Sequence, residues 1–193
     1  SPVTSHAFVA VSAAGGAAWP DQKQRLFIAV ESEANDGSSP PTTRVLRFRN
    51  ELDAGTMEFE EEQAIEAPMG GAASITSLRA LGSAGFFVAG SMDTPSGVRR
   101  PWVERRHSNG LPPELQSPMW RQYLGYESLD GVSHDVPGAT GDVIHDCVVS
   151  TGQGISALVT VGEILQPNAL APDAPRDAYI APRTLETGKS LCR

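Results

Sequence analysis

The densest group of residues able to do chemistry is His134-Asp135, Asp142 and His145-Asp146-Cys147. Imidazole nitrogens and carboxylates converging from a loop and the strand after it make a donor set for a zinc-like ion, with His134, Asp142 and His145 as its ligands. No spacing among them matches a recognised metal motif, and the same residues have a plainer use. Asp142 and Asp146 suit turn amides, and Cys147 suits a small core position. Residue type alone also allows a Cys147–His nucleophile pair. Against it, Cys147 stands where Leu78 stands in an earlier stretch of similar sequence. The Gly-x-Ser-x-Gly pentapeptide of serine hydrolases is absent. Thr187-Gly188-Lys189-Ser190 ends like a phosphate-binding loop, but Arg183 stands where the earlier glycine is required and no helix has room to follow. That match is accidental, and the sequence leaves the cofactor unknown.

A second candidate set is spread over three connections, residues 31 to 44, 91 to 100 and 163 to 177. Their charged residues include Asp36, Asp93, Arg99, Arg100, Glu163 and Asp173, beside Glu31 and Glu33. If the segments they join stack in register, these loops emerge on one face, where insertions concentrate in repeat proteins and make a binding surface. A mixed surface of this kind suits a protein, a glycan or calcium.

The elements that must position these residues recur. Gly85-Phe86-Phe87-Val88-Ala89-Gly90, then Pro101-Trp102-Val103-Glu104-Arg105, reads as a buried strand, a turn-rich connection and an aromatic-led strand. The same phrase occurs upstream as Leu26–Val30 with Val45–Arg49, and downstream as Ala157–Gly162 with Ala178–Ala181. Copies at a spacing of roughly 60 to 70 residues make an internal repeat, which outranks local signals. The repeats fall at about 7–55, 56–110 and 119–188 within a single domain covering residues 1–193. Residues 7 to 12 read as a further short strand, and Ile75–Leu81 and Ile144–Val149 open the second and third repeats. Trp102, Tyr179 and Phe48 mark one aromatic position per repeat, suited to packing between neighbouring sheets. Residues 56 to 67 are rich in Glu, which also permits a helix. Their match to Met119–Tyr123 favours an acidic outer edge strand with a solvated face, where charge blocks unwanted edge pairing. No segment has the length and caps of a normal helix, so the class is all-β.

Composition supports a globular domain, with 40% apolar and 20% charged residues in a chain of 193. A net charge of −8, with 13 Arg but only 2 Lys in no basic cluster, argues against nucleic acid. No apolar run approaches a membrane span, and no amino-terminal signal peptide is present. The start at Ser1-Pro2 reads as a processed product from which a targeting segment has been removed. Cys147 and Cys192 are too few for a disulfide framework. They either form one bridge in an exported protein or remain a buried thiol and a loose terminal one.

The third repeat resembles the bacterial β-propeller repeat family often called seven-bladed propeller (SBBP-like) repeats. The resemblance rests on Trp120-Arg121 before Leu124-Gly125, Gly141-Asp142, Val159-Thr160-Val161-Gly162-Glu163, Asp177-Ala178-Tyr179-Ile180-Ala181 and Gly188. The second repeat matches through Val88-Ala89-Gly90-Ser91 and Trp102-Val103, and the first only in its apolar strands. The resemblance implies about three antiparallel blade-type sheets around an axis, standing alone or as part of a larger ring, and no catalytic residues. Propellers need about four blades or more. Three would leave apolar faces uncovered at both ends, so self-association or a second protein chain is expected. The leading reading is an exported or cell-surface binding and assembly module, in an extracellular or periplasmic setting. The alternatives are an enzyme subunit with a site at the axis or a chain interface, using His134, Asp142 or His145, and a plain structural spacer.

Overall fold

The computed structural model describes residues 4–15, 19, 21–34, 41–51, 54–67, 71–83, 85–93, 99–107, 118–123, 126–127, 133–134, 143–152, 155–165, 176–189 and 191. These are built from strands, and no helix occurs among them. The first sheet is an antiparallel meander of β1 (Thr4–Ala14), β2 (Arg25–Ala34), β3 (Thr42–Glu51) and β4 (Thr56–Ile65). The second repeats that order with β5 (Ala73–Ala80), β6 (Phe86–Asp93), β7 (Arg99–Arg106) and β8 (Trp120–Tyr123). A two-residue pair follows, β9 (Tyr126–Glu127) with β10 (Ser133–His134). The third sheet is β11 (Val143–Gly152), β12 (Ile155–Leu165) and β13 (Arg176–Thr184).

Registers confirm that the sheets are copies. Each first strand carries a bulge at the same place, between Phe8 and Ala10, Ile75 and Ser77, and Ile144 and Asp146. The residue before each bulge pairs with Val30, Gly90 or Gly162, which fixes the equivalence of every later position. Two expectations change. The segment 56–65 is the edge strand of the first sheet, so the repeat boundary moves from residue 56 to the loop after Ile65. Trp102 and Tyr179 are equivalent, opposite Gly90 and Gly162, but the matching residue opposite Val30 is Arg44, not Phe48. Phe48 lies opposite Leu26 on the same face. Aromatic type misled the alignment where register decides it.

The glutamates of β4 are less solvated than their exposed edge suggests. Glu60 accepts from Arg25 Nε at 2.9 Å and from Arg47 Nε at 3.0 Å, and Glu61 forms an ion pair with Arg47 at 2.8 Å. The two cations also lie over the Trp19 ring, at 4.7 and 5.6 Å from its centroid. Strand β4 thus neutralises arginines that line the junction with the second sheet.

The second sheet is the centre of the molecule. Alternate residues of β6 serve opposite faces, as strand geometry requires. Phe86, Val88 and Met92 join Trp102, Ile75 and Leu78 in a core against Phe27, Ala29 and Val45 of the first sheet. Phe87, Ala89 and Val103 join a second core with Ile144, Cys147 and Leu158 of the third. Burial on both faces is why Gly85–Gly90 is apolar without alternation. The Phe27–Phe86 ring contact, 5.4 Å between centroids, joins the first and second sheets, and Phe87–Trp120, at 5.7 Å, lies within the second. Gly90 is needed for close approach: a Cβ there would lie 1.9 Å from the Ser74 carbonyl oxygen.

Candidate functional site: the uncovered sheet faces

Among the described residues, the expected site residues do not assemble into one centre. Asp36, Asp142 and Asp173 lie outside the described residues, and for His134 and Arg99 only the strand backbone is described. Asp93 is used internally, its carboxylate accepting the Ala72 amide at 2.8 Å. Arg100 lies at 4% exposure on β7, opposite Met92, so its side chain is buried rather than displayed on a loop face. His145 and Glu163 do meet, Nε2 to Oε1 at 3.0 Å, in an exposed pair. The bulge explains this, because an inserted residue is re-aimed away from the ladder. Among the described residues no three His, Cys, Asp or Glu side chains gather as a metal site.

The rest of the polar cluster is a latch between the second and third sheets. Ser77 Oγ donates to Asp146 Oδ1 at 2.6 Å, the Cys147 amide donates to the same oxygen at 2.8 Å, and Arg79 reaches both carboxylate oxygens at 2.8 Å. Burial pushes the Asp146 pKa up, but the Ser77 hydroxyl, the Cys147 amide and Arg79 outweigh it and hold the carboxyl below its ordinary value. Cys147 is a free, buried thiol whose pKa burial raises to about 11. A thiol so protonated is a poor nucleophile. The core position expected for it from Leu78 is the one it takes, since Cys147 lies opposite Thr160 as Leu78 lies opposite Val88.

The feature that sets this molecule apart is what its two outer sheets leave uncovered. Each sheet has one face carrying Phe27, Phe87 or Val159, and another carrying Leu26, Phe86 or Leu158. Both internal junctions bring the first kind of face of one sheet against the second kind of the next. Among the described residues, one face of each kind therefore remains uncovered. On the first sheet it holds Phe8, Val11, Ile28, Leu46, Phe48 and Phe59; on the third, Val148, Val159, Val161 and Ile180.

Equivalent positions make the contrast quantitative. Phe8 matches Ile75 and Ile144, which are 4% and 1% exposed, yet Phe8 is 77% exposed. Ile180 matches Val45 and Val103, at 2% and 0%, yet is 73% exposed. Val11, 60% exposed, shows the same reversal against its counterparts Leu78 and Cys147, at 0% and 1%, whereas Val148 stands in place of the polar Ser12 and Arg79. Ser12 and Arg79 both reach the next sheet, to the Ala80 amide at 3.0 Å and to Asp146; Val148 is exposed. Sequence reasoning foresaw uncovered end faces but not these residues, because naming them requires the register set by the bulges.

Compared with protein-family models and with curated proteins, the chain matches none.

Proposed function

We propose that this chain is a propeller-like binding and assembly module, exported or displayed at the cell surface, with no catalytic activity of its own. Its working parts are the two uncovered sheet faces, which are completed by protein. One observation carries this reading: residues at equivalent positions are buried at both internal junctions and exposed only on the outermost faces. The buried thiol and the internally satisfied carboxylates of Asp93 and Asp146 offer no competing reactive centre. Leaving side chains such as Phe8 and Ile180 in water forgoes about 1.5–3 kcal/mol each.

Thermal unfolding over a hundredfold range of protein concentration tests the reading. Association through these faces stabilises the folded form by mass action, so Tm rises with concentration. The same measurement on the double variant Phe8→Glu, Ile180→Glu should give a Tm independent of concentration. A concentration-independent Tm for the unmodified chain would overturn the proposal.

A further inference from the structure

We infer that the occupant of each uncovered face is a second copy of this chain, bound head to tail, with the third sheet of one copy on the first sheet of the other. The inference rests on the assembly reading above and names its partner and orientation. Like faces never meet inside the chain: each junction joins unlike faces of successive sheets, and the two left over are one of each kind. A heterologous contact of this type forms a closed ring when its rotation closes and a filament when it does not. Two copies supply six of the larger sheets, within the four to eight blades of known rings.

A polar contact fixes the register. At the junction of the first and second sheets, Glu31 Oε1 accepts the backbone amide of Ile75 at 3.0 Å. Glu163 occupies the place of Glu31, opposite Ala178 as Glu31 lies opposite Thr43, and Phe8 occupies the place of Ile75. In the dimer Glu163 accepts the Phe8 amide of the other copy, while Ile180 packs as Val45 and Val103 do within the chain. The His145–Glu163 pair holds that carboxylate at the rim of the exposed face.

Complementation by sedimentation equilibrium distinguishes this arrangement from others. One variant blocks only the first-sheet face (Phe8→Glu with Val11→Glu), the other only the third-sheet face (Val148→Glu with Ile180→Glu). The unmodified chain should have twice the 20.4 kDa chain mass, each variant alone the single mass, and their equimolar mixture twice that mass again. If either variant alone keeps the doubled mass, like faces pair and the head-to-tail inference fails while the assembly reading survives. A mixture that stays at the single mass while the unmodified chain doubles has the same consequence, and an unmodified chain at the single mass sinks both. All four substituted side chains are solvent-exposed, so circular dichroism should show unchanged folding. Should either variant unfold, Glu163→Ala gives an independent reading: loss of a charge-assisted hydrogen bond should raise the dissociation constant about tenfold or more. An unchanged constant would refute the register.

Discussion

Replacing Asp146 tests whether the latch between the second and third sheets is held by its ion pair or by the groups beneath it. The Arg79–Asp146 pair is visible to solvent, with side chains 35% and 48% exposed, and pairs of that kind contribute about 0.2–1 kcal/mol. Ser77 and Cys147, by contrast, are 2% and 1% exposed, and both donate to the same carboxylate oxygen. Removing that acceptor takes the carboxylate from the buried Ser77 hydroxyl and leaves the Cys147 amide with Ser77 Oγ at 3.2 Å, at a cost of about 1–3 kcal/mol. Asp146→Ala should therefore destabilise by about 2 kcal/mol, and Arg79→Ala by less than about 1 kcal/mol. Urea unfolding at one fixed protein concentration reads the difference through the midpoint at constant slope. The pH dependence has a definite sign. The folded-state pKa of Asp146 is depressed, so its contribution is present above the ordinary carboxylate range and fades as pH falls through the folded value. The gap between the unmodified chain and Asp146→Ala should shrink from pH 7 towards about pH 3. An Arg79→Ala penalty as large as that of Asp146→Ala, or a gap that ignores pH, would refute the reasoning.

Three further outcomes are expected. Gly90→Ala should cost about 2–4 kcal/mol in the same unfolding assay, because the added carbon meets the Ser74 carbonyl; a change under about 0.5 kcal/mol would show that β5 moves freely. Glu104, fully buried, accepts from Arg106 Nε at 2.5 Å and Arg121 Nε at 2.6 Å. Glu104→Ala leaves the buried Arg106 without this carboxylate and should lose about 3–5 kcal/mol. A near-neutral midpoint shift would mean that the network adds little. In a Cys192→Ser background, Cys147 should react with a thiol reagent at pH 8 at least about a hundredfold more slowly when native than in urea. Equal rates would contradict its burial.

The sequence made the strands legible because each buried strand repeats one apolar phrase between turn residues. It also placed Cys147 in a core position, since Leu78 and Cys147 follow their bulges at the same distance. Residue chemistry was a poorer guide to surfaces. Arg100 has the charge of a loop residue but lies inside, and Glu60 and Glu61 read as solvated until the arginines across from them are placed. Phe48 was matched to Trp102 because aromatic type was visible and bulge register was not. The uncovered faces depend on that register, on which a one-residue shift turns every side chain to the opposite face.

Native mass spectrometry of the unmodified chain at micromolar concentration tests the central claim most directly. A particle of twice 20.4 kDa is expected, whose two copies cover Phe8 and Ile180 together. A chain found only at its single mass would contradict it.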